Sequence, residues 1–152
     1  QLKGRVRAVA GRSRGLKPPR VFCMEWIEPV FTTGHWVPEM IRLAGGREGL
    51  AKAGSESRRI EWRNVVSYAP ERLIIMLCGL TPARARRDAL SLPRRPGWAS
   101  IPAVRDGHVY VVDGPSYFNG AGPRLVDGLE TLARIIRAKP YGSVANLRID
   151  FA

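Results

Sequence analysis

The chain has little cysteine: two residues in 152, Cys23 and Cys78, make no disulfide framework. Beside them stand two histidines, His35 and His108, and no pair among the four has the close spacing of a zinc centre, so no metal site is assigned. Long apolar runs are missing too. The longest, 73–80, falls far short of the roughly 20 residues that a helical membrane span needs. Residues 1–20 hold no apolar run followed by a small-residue cleavage site, so no signal peptide is expected in this chain. The GxGxxG spacing of a dinucleotide site is absent, because Gly114, Gly120 and Gly122 are differently placed. Nothing in the spacing demands a nucleophile, base and orienting group, and no catalytic residue is assigned.

Acidic residues are scarce. Thirteen Asp and Glu face 25 Lys and Arg, a net charge of +12, and the first 20 residues carry seven basic groups and no acidic one. Two readings of that surplus stand, a face for a polyanion and an ordinary solvated surface. Because 21 of the 25 are arginines spread along the chain, with no aromatic-interleaved basic run, no nucleic-acid partner is expected. A basic nucleic-acid-associated domain remains the alternative class.

What is present is globular: 45% apolar and 25% charged residues, at a length that suits one domain or one lobe of something larger. Leu2, Val6, Val9 and Ala10 recur at helical spacing, a surface helix ending near Gly15 and Pro18-Pro19. Val21 to Met24 has strand length, and Val37, Met40, Ile41 and Ala44 share one helical face before Gly45-Gly46. Ile60 to Tyr68 reads as a strand end entering a short helix, and Leu73 to Leu77 as the clearest buried strand. Pro82 opens a helix through Leu90, Val109 to Val112 is a further strand, and Leu125, Leu129, Leu132 and Ile136 stripe a long helix. This alternation predicts an α/β fold, an open and mainly parallel sheet with helices on both faces. Its ligand edge is then at the carboxyl ends of the strands, in loops 25–36, 78–82 and 113–123.

Those loops read EWIEPVFTTGHW, CGLTP and DGPSYFNGAGP. Aromatics, glycines and small polar groups of this kind suit a large flat ligand. Phe31, Trp36, Tyr117 and Phe118 are candidate faces, and Asn119 or Ser116 the group that fixes orientation. Capping of the sheet edge is the competing role for each aromatic. His35 has two readings, an axial or stacking group and a cap of the helix that follows. Cys23 and Cys78, in predicted strands, read as buried thiols.

The strings RVFCMEWIEPVFTTGHWVPEMIRLAGG, RRIEW, PERLIIMLCG, RRPGWASIPAVRDGHVYVVDG and SYFNGAGPRLVDGLETLA occur in this order. Together they resemble the C-terminal lobe of the helical-backbone (class III) periplasmic substrate-binding proteins of ABC importers, in their cobalamin-binding branch. The resemblance covers about 20–138. It implies one lobe of a two-lobed binding protein, with 1–16 as the end of the inter-lobe helix, 20–138 as the C-terminal lobe, 139–152 as a tail, and an N-terminal lobe upstream of Gln1. It implies a periplasmic or otherwise extracytoplasmic place and no enzyme activity. Cobalamin or a related corrinoid is then the transported ligand rather than a cofactor, an ABC permease is the partner, and ferric-siderophore capture is the runner-up. Residue by residue, it puts Phe31 with Trp36 close by, the small Gly79, and Tyr117, Phe118 and Asn119 at the ligand; His35 joins them as a candidate from its place in the first loop. Where the family often carries a permease-docking glutamate this sequence has Arg63, with Glu61 two residues earlier.

Overall fold

The computed structural model describes residues 1–138 and the backbone of 148–150. In chain order the elements are α1 (Leu2–Ser13), β1 (Arg20–Trp26), β2 (Phe31–Thr32), α2 (Val37–Leu43), β3 (Arg47–Glu48), α3 (Trp62–Tyr68) and β4 (Arg72–Ile75). They continue with α4 (Pro82–Ala89), α5 (Pro102–Arg105), β5 (Val109–Val112), α6 (Gly114–Tyr117), α7 (Arg124–Arg137) and β6 (Arg148–Asp150). Apart from β6, the expected tail at 139–152 lies outside the described residues.

One sheet organises them, in the order β2-β1-β4-β5-β6. β1, β4, β5 and β6 run parallel, while β2 is antiparallel to β1. The two-residue β3 pairs with Arg20 and Val21 at the start of β1, and β2 pairs with Met24 and Trp26 at its end, so both share the edge away from β4. The mainly parallel sheet expected from the sequence is therefore observed, with an antiparallel stub at one edge.

Strand alternation divides the core in two. Phe22, Met24, Leu73, Ile75, Val109 and Val111 face Val65 of α3, Ala85 and Ala89 of α4, Val104 of α5 and Trp98. Val21, Cys23, Ile74, Met76, Tyr110 and Val112 face Val9 of α1, Ile41 of α2 and Leu129, Leu132 and Ile136 of α7. Burial on both faces explains why these strands read as unbroken apolar runs. Helix α1 is docked onto the same layer. Val9 is fully buried, and Arg5 bonds Asp127 at 2.6 Å and Glu130 at 2.9 and 2.7 Å on α7.

Cys23 is buried as expected, whereas Cys78 is exposed: β4 ends at Ile75, and the chain turns outward after Leu77. The irregular stretch 91–101 is held by a stack of Trp62 on Trp98, ring centroids 6.2 Å apart, with the Arg95 guanidinium 5.3 Å from the Trp62 ring.

Two titratable groups, the half-buried Glu48 and the buried His108, oppose each other. Burial pushes the Glu48 carboxyl up from 4.5 to about 7, against hydrogen bonds from the backbone N–H of Leu50 and Ala51. Burial, then the Arg72 charge, pushes His108 down from 6.5 to about 4; the ring is 3% exposed and 3.0 Å from the Tyr110 hydroxyl. The folded chain therefore binds the extra proton at Glu48 between 4.5 and 7, and the unfolded chain binds it at His108 between 4 and 6.5. Acidification from neutral pH favours folding through Glu48 and opposes it through His108, so the two nearly cancel where they overlap. Glu48→Gln should unmask the histidine: its stability should fall steadily from pH 6.5 towards 4, read as denaturation midpoints at a series of pH values.

Candidate functional site

Because β1, β4 and β5 are parallel, their carboxyl ends share one edge, and the segments that follow them meet there. The indole N–H of Trp36 donates to the Phe118 carbonyl at 2.8 Å, joining the first segment to the third. The turn before Trp36 is strapped from behind: the His35 N–H donates to Ser55 O at 2.6 Å, and the Gly54 N–H donates to His35 O at 2.8 Å. These two bonds hold His35 at φ +52°, a left-handed conformation that few side-chain-bearing residues adopt. Gly34 is required there, since a Cβ would stand 2.4 Å from the Ser57 amide nitrogen. The third segment is also seated on the sheet. A Cβ at Gly114 would meet Leu77 O at 2.7 Å, and Asp113 caps α6 by accepting from the Ser116 N–H and hydroxyl at 3.0 and 2.6 Å.

A cavity of about 190 Å³ opens between these segments, lined by Glu25, Thr33, His35, Trp36, Met76 and Asn119 among others. Polar and apolar side chains share its lining. The Glu25 carboxylate accepts a short hydrogen bond from the Ser57 hydroxyl, and two buried atoms, Thr33 Oγ1 and Asn119 Nδ2, have no partner.

Of the residues expected at the site, His35, Trp36, Phe118 and Asn119 come together around this cavity. His35 is exposed and its ring lies 5.6 Å from that of Trp36, tilted by 37°. Phe118 offers no open face: at 2% exposure its ring packs in the core beside Gly128 of α7, where a Cβ would lie 2.9 Å from it. Tyr117 turns to the other side of its segment. It lines a groove between α1 and α7, with the Arg124 guanidinium 5.8 Å from its ring. Phe31, half-buried, is the cross-strand partner of Trp26, and Gly79 occupies an exposed left-handed turn at φ +71°; both lie outside the cavity. Ser116 is committed to Asp113, which leaves Asn119 as the polar group on this segment with a free donor.

Glu25, Thr33 and Met76 were not singled out from the sequence. Glu25 carried a signal, being the acidic residue that follows the buried run of β1 at the carboxyl edge of the sheet. Thr33 carried none that separates it from Thr32, whose hydroxyl accepts from the Arg58 N–H at 3.2 Å.

A second hollow, about 390 Å³, lies further along the edge between Trp26, Leu77, Leu80 and Arg87. At the N-terminus of α3, Arg63 and the capping residue Glu61 form an exposed ion pair at 2.7 Å. Among the described residues no three His, Cys, Asp or Glu side chains gather into a metal cluster, and no helix is long and apolar enough to cross a membrane.

Residues 1–115 match the family described as periplasmic binding protein, and the chain belongs to that family. No curated protein matches the sequence. Solved structures do. A periplasmic binding protein from Veillonella parvula aligns at 21% identity and a TM-score of 0.74, over 91% of this chain and 49% of its own. The periplasmic vitamin B12 binding protein of Vibrio cholerae aligns at 18% and 0.68, over 89% and 50%. A periplasmic heme binding protein from Pseudomonas aeruginosa aligns at 26% and 0.68, over 93% and 52%. The chain thus spans about half the length of the structures it matches.

Proposed function

We propose that this chain forms one lobe of an extracytoplasmic substrate-binding protein of an ABC importer, and that it captures a corrinoid, cobalamin foremost. The observation that carries the reading is the convergence of His35 and Trp36, from the segment after β1, with Asn119, from the segment after β5, at the carboxyl edge of the sheet, in a chain of the periplasmic binding protein family. An indole face beside an imidazole, backed by a cavity that holds polar groups, suits a flat macrocycle with polar arms. Phe31 and Gly79 extend the contact surface along the edge, Phe118 serves it through its carbonyl and its packing, and Tyr117, which lines the α1–α7 groove, is left out of it. A second lobe, expected upstream of Gln1 and reached through α1, closes over the exposed side of the ligand. The heme-binding relative favours a second reading within the class, an iron tetrapyrrole, and ferric siderophores are the third. The protein transports its ligand without making or breaking a bond.

The test is titration with cyanocobalamin, hemin and a ferric siderophore at low and high salt. Saturable cyanocobalamin binding that salt leaves unchanged supports the reading. Affinity for nucleic acid instead, falling steeply as salt rises, would return the chain to the alternative class.

The docking face follows from Glu61 and Arg63. Both side chains are largely solvent-exposed, so their ion pair is weak and leaves an arginine at the rim where a carboxylate is expected. Arg63→Glu should raise importer stimulation severalfold if the permease presents basic groups, because like charge at a rim slows encounter. A loss of transport in the reconstituted importer would assign Arg63 an acidic partner on the permease.

A further inference from the structure

The cavity behind Trp36 has a chemistry of its own. On one wall is the Glu25 carboxylate, which accepts from Ser57 and has no ion pair among the described residues. On the others are Thr33 Oγ1, in a side chain 2% exposed, and Asn119 Nδ2, both buried and both without a partner. Leaving a buried donor unsatisfied is destabilising, because it loses its bonds to water and gains none. Two such groups beside one acceptor, around a space of about 190 Å³ that opens at the ligand edge, are the complement of a small group that both donates and accepts.

We propose that this cavity receives a primary amide arm of the ligand. Its N–H is held by the Glu25 carboxylate, and its carbonyl by the Asn119 amide and the Thr33 hydroxyl. The inference rests on the reading of this edge as a ligand site and deepens it by naming the ligand's chemistry. A carboxylate arm would face the Glu25 charge, and an apolar arm would leave Thr33 Oγ1 and Asn119 Nδ2 unpaired. Corrinoids carry amide arms around the macrocycle, whereas heme carries carboxylates. The subsite therefore selects between the two tetrapyrrole classes, even though the overall charge of +12 favours the more anionic one.

The test compares dicyanocobinamide, with its amide arms, against dicyanocobyrinic acid, in which they are carboxylates, on the unaltered chain, Glu25→Gln, Thr33→Val and Asn119→Asp. The amide form should bind at least ~10-fold more tightly. Glu25→Gln, which keeps an acceptor for Ser57 and removes the charge, should shrink that ratio several-fold. Thr33→Val should weaken the amide form. A preference for the acid, or a ratio that no variant alters, overturns the subsite and leaves corrinoid capture standing. Should neither corrinoid bind, the proposed function fails, and propionamide against propionate decides the subsite alone. Saturable shifts of the Asn119 side-chain amide resonances with propionamide only support it; no shift, or equal shifts with both, overturns it.

Discussion

Replacing Phe118 with alanine should lower the stability of the fold by ~3–5 kcal/mol, the usual cost of emptying a buried aromatic position. The ring is 2% exposed and packs with Tyr110, Val112, Leu129 and Leu132 between the sheet and α7. It also meets the helix where Gly128 lets the backbone come close, so the walls have little room to collapse inward. Asn119→Ala, one residue on, should cost little or even stabilise, since it removes a buried donor that has no partner. Denaturant midpoints of the two variants check the pair. A mild Phe118→Ala would mean that the ring is not committed to the core and is free to meet a ligand.

The second large effect is on binding. Trp36→Ala should weaken cyanocobalamin binding roughly 30-fold or more, as expected for a central aromatic anchor worth about 2 kcal/mol or above. The substitution removes the indole face and also the 2.8 Å bond to Phe118 O that joins the first and third segments. Trp36→Phe separates these contributions, for it keeps an aromatic face and loses only the donor. An intermediate loss for phenylalanine is expected in equilibrium titrations. Equal and full affinity in both variants would move the ligand away from this cavity.

Much of the fold was legible because its strands are buried on both faces. Val21 to Met24, Leu73 to Leu77 and Val109 to Val112 stand out as apolar runs, and the stripe from Leu125 to Ile136 marks α7. The stubs β2 and β3 were not legible. Two-residue strands have no periodicity; both pair on the free edge of β1, and β2 is held on its other side by 58–60. The loop 113–123 hides a helical turn, α6, set by the Asp113 cap rather than by any apolar pattern.

Composition placed aromatics and small polar groups at the carboxyl edge of the sheet but did not give their directions. Tyr117 and Phe118 are neighbours, yet one lines the α1–α7 groove and the other fills the core, a division decided by how α6 runs into α7. The strap at 54–57 behind His35 was invisible for the same reason. It is a backbone contact between residues 20 apart, across α2 and the loop after it, shown by the His35–Ser55 and Gly54–His35 bonds and the crowding at Gly34.

The most direct test of the central claim, that a flat ligand is held at the carboxyl edge of this sheet, is amide chemical-shift mapping of the isotopically labelled protein with cyanocobalamin. Saturable shifts are expected at 33–36 and 117–119, including the Trp36 indole N–H, with smaller ones at 78–80. Shifts confined to the basic face of α1, or no saturable shift anywhere, would contradict it.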